Sequence, residues 1–134
     1  MPDRPNLEVL SIDAGDRWQR ALAYRRALQT LESSGYVFIA GDGRGTVPSR
    51  APLFGRTVGV ARGAFALALR TGAPILPLAA RWRGPAIEIE TGELIAPGDE
   101  EAMAAATTRF LEDYVRRTPE AIDPFFTRFL HSLD

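Results

Sequence analysis

Hydrophobic and polar positions along the chain alternate between two periods. Leu7 to Ile12 is a short apolar run that suits a buried strand. From Trp18 onward, apolar residues recur at three- and four-residue spacing through Ala21, Tyr24, Leu28 and Leu31, which predicts a helix with one apolar stripe. Asp16 with Gln19 forms a capping-box variant at its start, and Gly35 is placed to end it. Tyr36 to Ala40 reads as a strand buried on both faces, followed by a loop from Gly41 to Thr57. Val58 to Arg70, rich in Val, Ala, Phe and Leu, predicts a largely buried helix closed by Thr71-Gly72. Pro74 to Ala80 reads as an interior strand with Pro77 near its end or at a bulge. Ile87 and Ile89 alternate with Glu88 and Glu90, so a near-edge strand is expected there, its glutamates on the solvated side. Met103, Ala106, Phe110, Tyr114 and Val115 mark a long amphipathic helix. Thr118-Pro119 supplies the N-cap and first-turn proline of a last helix carrying Ile122, Phe125, Phe126 and Phe129.

Strands separated by segments long enough for helical crossovers imply an α/β domain with a mostly parallel sheet flanked by helices. Ligands of such sheets sit beyond the carboxyl ends of the strands. The loop Gly41-Asp42-Gly43-Arg44-Gly45 falls in that position.

Composition narrows the chemistry. The 134 residues, 46% of them hydrophobic, fit a single domain over 1–134. There is no cysteine and one histidine, so thiolate sites are excluded and no metal centre or resident cofactor is expected. No apolar run approaches the roughly 18 residues that a membrane span needs, and the polar amino terminus has no signal core, which together predict a cytoplasmic protein. A net charge of -1 argues against nucleic acid as a partner. All sixteen basic residues are arginine, so every cation is a planar fork suited to phosphate or carboxylate.

Three glycines in five residues leave backbone amides open to an anion, and Arg44, Arg50 and Arg56 follow closely enough to add bidentate contacts. Arg62 falls near the start of the predicted helix, where the helix dipole disfavours a cation by about 0.3 to 1 kcal/mol unless an anion is close. A phosphate at the loop removes that conflict. The alternative is a solvated loop whose arginines pair with Asp42 or with neighbouring glutamates. Neither common glycine-rich nucleotide fingerprint is present.

The run "GYVFIAGDGRG", then "PLFGR", an Ala/Leu-rich helix, "TGAPILPL" and the terminal "VRRTPEAIDPFFTRF" resemble, in order, the carboxy-terminal part of the lysophospholipid acyltransferase superfamily, and within it the bacterial lipid A acyltransferases. The resemblance covers residues 7–131. It implies a partial three-layer acyltransferase-like α/β domain that binds a phosphorylated or sugar-lipid acceptor, with an acyl carrier protein or coenzyme A thioester as donor in a complete enzyme. Carried over by motif, the acceptor-binding residues are Asp42, Gly43, Arg44 and Arg56, with Arg62 and Arg17. It also implies peripheral contact with the inner membrane.

The family's His-x-x-x-x-Asp pair is missing. The one histidine, His131, has no aspartate five residues on, and it reads as a surface residue near a helix end. Asp42 beside Arg44 is expected ionised and structural, and Ser11 and Ser49 have no partner histidine. No catalytic residue is therefore assigned. The expected function is acceptor binding without catalysis by this chain alone, either as part of a larger acyltransferase or as a stand-alone anion-binding or oligomerising module. A start at Met1 with a polar leader favours the shorter natural chain. Exposed apolar surface left by absent amino-terminal elements predicts a homo-oligomer or another partner.

Overall fold

In a computed structural model, which describes residues 16–40 and 48–121, the Asp16 carboxylate accepts hydrogen bonds from the N–H groups of Trp18 and Gln19 and opens helix α1, Arg17–Glu32. The helix ends in a Schellman motif. Ser34 takes φ +60°, its N–H donates to the Leu31 carbonyl, and the Gly35 N–H donates to the Thr30 carbonyl at 2.8 Å. Gly35 therefore stands one place beyond the left-handed residue, where a Cβ would lie 2.8 Å from the Thr30 oxygen. The expected apolar stripe is not buried: Trp18 and Tyr24 are exposed, and Ala23 is the buried residue of the helix.

The chain divides into two compact units, residues 1–37 and 38–134, and α1 belongs to the first. The expected strand over Tyr36–Ala40 is replaced by irregular backbone with Tyr36 97% exposed. The strand expected at Leu7–Ile12 and the helix beyond Ile122 lie outside the described residues.

Within the second unit come β1 (Ser49–Leu53), β2 (Arg56–Val60), α2 (Gly63–Thr71), β3 (Leu78–Arg83), β4 (Ala86–Thr91), α3 (Glu100–Arg117) and a 3-10 turn at Pro119–Ala121. The strands make two separate antiparallel pairs, β1 with β2 and β3 with β4. This is a small α+β arrangement, and it overturns the expected three-layer, mostly parallel sheet. The reason is local. Residues expected to be loop contain the alternating strand Ser-Arg-Ala-Pro-Leu, and both strand connections are two-residue turns, too short for any parallel crossover. Phe54 at φ +49° and Gly55 at φ +74° are both left-handed, as a type I′ turn requires, and Gly84 at φ +59° opens the second turn.

Helix α2 begins at Gly63 rather than Val58, because Val58 and Val60 belong to β2. Gly72 ends it at φ +75°, donating to the Ala68 carbonyl. Pro77 lies just ahead of β3 and its carbonyl accepts from Gly92 N–H, so it removes no donor from the ladder. The core gathers Ala51 of β1, Phe65 and Ala68 of α2, and Met103 and Ala104 of α3, with Val60, Ile75 and Ile95 packed against it. Ile75 and Ile95 are themselves bridged by two backbone hydrogen bonds.

Candidate functional site

Of the arginines expected to form one anion cradle, Arg56 and Arg62 lie at opposite ends of the first hairpin. Asp42, Gly43 and Arg44 lie outside the described residues, as does His131. Arg62 occupies the N-cap position of α2, and its guanidinium donates to the Glu100 carboxylate at 2.9 Å. Glu100 also accepts from the buried Ser49 hydroxyl at 2.5 Å. The anion that the sequence demanded beside Arg62 is thus a carboxylate of the same chain. Arg56 opposes Leu53 at the turn end of the first hairpin, four strand residues from Ser49, or about 13 Å along the ribbon. It is exposed, with no polar side-chain partner among the described residues. Arg50 opposes Gly59 on the other face of that ribbon. Arg17 is the first residue of α1, in the other unit.

The "PLFGR" element is built as a docked turn. The Phe54 N–H donates to Glu112 at 2.9 Å, Arg116 bonds the same carboxylate, and the Arg116 guanidinium lies 5.4 Å above the centre of the Phe54 ring. Glu100 holds Ser49 at one end of β1 and Glu112 holds Phe54 at the other. Twelve helical residues rise about 18 Å, and five strand residues about 17 Å. Helix α3 and β1 therefore run alongside in matched length, which buries Ala51, Leu53 and Val58 and leaves Arg50 and Pro52 outside. Hydrogen bonds from Arg116 and then from the Phe54 amide hold the Glu112 carboxyl below its ordinary range.

The second hairpin is turned the other way. Its charged face carries Arg81 directly opposite Glu88, with Arg83 one pair nearer the turn and Glu90 one pair further back. Arg81 donates to Glu88 at 2.6 Å and to Glu120 at 3.2 Å, Arg83 bonds Glu88 at 2.7 Å, and Arg117 of α3 bonds Glu90. Bonds from Arg83 and then Arg81 lower the Glu88 pKa, while Glu88 and Glu90 raise those of Arg81 and Arg117. At the base of the hairpin, Gly92 meets Phe110 and Pro77 so closely that a Cβ would come within 2.6 Å of the Phe110 ring and 2.9 Å of Pro77. These bonds tie the charged side to the carboxy-terminal half of α3 and the turn after it.

Alternation then sends the apolar residues outward. Trp82 pairs with Ile87 and Ala80 with Ile89 on the opposite face, where Trp82 is 72%, Ile87 57% and Ile89 63% exposed. Leu78 continues that face. Leu76 and Leu94 prolong it, each next to the Ile75–Ile95 bridge whose side chains pack on the core. The expected orientation of β4 is therefore reversed: the glutamates are half-buried in ion pairs and the isoleucines face water.

Sequence reading missed this surface. A signal was present, because "ARWR" and "AIEIE" alternate in step and place arginines across from glutamates. A charged face that neutralises itself can be turned toward a helix carrying Arg117, which frees the apolar face for another use. Among the described residues no group of acidic or histidine side chains is arranged to hold a metal ion, and no helix is long and apolar enough to cross a membrane. No protein-family model matches this chain, and a search among curated proteins finds no match.

Proposed function

We propose that this chain works by binding rather than by catalysis, as an assembly module whose docking surface is the outward face of the β3–β4 ribbon. The observation that carries the proposal is the inversion of that hairpin, with self-neutralised charge inward and Trp82, Ile87 and Ile89 outward. A sheet normally buries its apolar face against another layer. Here the layer present in the unit meets the polar face, so the apolar face is left for a partner. The competing proposal, an acyltransferase-like site for a phosphorylated acceptor, rests on the sequence resemblance and on Arg56, since Arg62 is already engaged by Glu100. A cytoplasmic location belongs to this proposal as well.

Dye binding tests it. At sub-micromolar protein, an apolar fluorescent dye should bind the full chain, and Ile89→Glu should abolish most of that binding while the circular dichroism spectrum stays unchanged. Equal dye binding by both proteins contradicts the proposal. Transfer of an acyl group from coenzyme A or acyl carrier protein to a lipid or sugar acceptor, surviving His131→Ala, contradicts the non-catalytic part.

A further inference from the structure

We infer that the occupant of this face is a second copy of the same chain, packed ribbon to ribbon about a two-fold axis; this rests on the docking surface proposed above. Six apolar side chains, Leu76, Leu78, Trp82, Ile87, Ile89 and Leu94, at 40 to 72% exposure leave on the order of 600 Å² of contiguous apolar surface, at or above the largest patch that monomers ordinarily carry. Two such faces together remove on the order of 1,200 Å² from water, which reaches the range of specific interfaces. The area therefore suffices for a dimer without any further contact.

The shape favours a copy of itself. Alternating side chains on a two-stranded ribbon form a ridged face, and ribbons of the same spacing interdigitate at about 10 Å as the sheets of a sandwich do. A two-fold axis lying in the interface and perpendicular to the strands sets Trp82, near the turn of one hairpin, over the Leu76 and Leu94 end of the other, so the largest side chain meets the open end of the ladder. Trp82 is then the largest side chain that each copy buries against the other, and tryptophan is among the residues that most often dominate binding energy. Net charge is close to zero, so two copies repel only weakly.

The hairpin also cannot hide the face by rolling over. Arg81 and Arg83 on Glu88, Arg117 on Glu90, Arg81 on Glu120 and the Gly92–Phe110 contact hold its other side down. Turning Ile87 and Ile89 inward would break all of these and leave two glutamates facing Phe110 and Tyr114.

Sedimentation velocity on the full chain from about 0.5 to 100 µM, with wild type, Trp82→Ala and Ile89→Glu, decides the matter. The expected result is a reversible wild-type dimer, weakened roughly thirtyfold by Trp82→Ala, as for a tryptophan hot spot, and absent in Ile89→Glu, with the far-ultraviolet spectra of all three unchanged. A wild-type dimer that survives both substitutions lies on another surface and overturns the inference. A wild-type monomer at 100 µM overturns it too, and the dye then separates the two proposals. If the monomer binds dye in an Ile89-dependent way, the docking surface stands and its occupant is some other chain. If it binds none, both proposals fall.

Discussion

The two hairpins of this unit share a two-residue turn and a helix, yet they bury opposite kinds of side chain. The β1–β2 ribbon lies along the first two-thirds of α3 with Ala51, Leu53 and Val58 inward, and only its ends are tied by charge, through Glu100 and Glu112. The β3–β4 ribbon meets α3 with Glu90 and Phe110-facing Gly92, and its isoleucines point away. The difference lies in what α3 offers. Its early turns present Met103, Ala104 and Thr108, a small apolar surface suited to a close-packed ribbon, whereas its last turns present Tyr114 and Arg117. One helix thus makes a core with one hairpin and an ion-pair platform for the other.

The largest way to break this comparison is to empty the packed ribbon. Leu53→Ala should cost about 2 to 5 kcal/mol in a chemical-denaturation experiment, the usual range for a buried leucine. A loss below one kcal/mol would put β1 on the surface. Next is the contact that seats the inverted ribbon. Gly92→Ala drives a Cβ into Phe110 and Pro77 and should cost about 1 to 3 kcal/mol, and on a Phe110→Ala background that penalty should fall to the part that the Pro77 contact leaves. Equal penalties in both backgrounds would show that the Gly92 requirement does not come from the ring.

How much of this was legible beforehand depended on whether a residue acts through its neighbours in sequence or through distant ones. Asp16 capping α1 and Gly72 ending α2 are local effects, and each follows from a few adjacent residues, whereas Pro77, expected near the end of a strand or at a bulge, stands ahead of β3. The β1–β2 hairpin looks like a loop in sequence because glycine and arginine dominate around it and its turn uses Phe54 in a left-handed conformation, where asparagine is the expected residue. The partner of Arg62 was hidden for another reason: the anion beside it is Glu100, 38 residues away. Orientation of β4 was the hardest to see. Period-two alternation shows that two faces differ and says nothing about which is covered, and here the choice is made by Arg117 and Glu120 from elsewhere in the chain.

Smaller effects sharpen the platform half of the comparison. The Tyr114 hydroxyl is buried without a hydrogen-bond partner among the described residues, and an unsatisfied buried polar group is a cost, so Tyr114→Phe should raise stability by about 1 kcal/mol. A loss would reveal a partner for the hydroxyl. The ion pairs should show mainly as pH dependence. Glu88 and Glu112 have lowered pKa values in the fold, so their contribution is present above the ordinary carboxylate range and is lost as pH falls through the folded values. Glu88→Gln should therefore be less stable than wild type at neutral pH, with the gap closing in acid. A gap that stays constant with pH would remove the pairing of Glu88 from the account. The effect should be modest, because these pairs are partly exposed to solvent.

The claim on which everything else depends is that Ile89 points away from the core, and unfolding of Ile89→Glu at sub-micromolar concentration tests it most directly. An outward Ile89 leaves the unfolding free energy within about 0.5 kcal/mol of wild type, as for a surface substitution. A loss of several kcal/mol, comparable to that of Leu53→Ala, would place Ile89 inside and contradict the inverted ribbon.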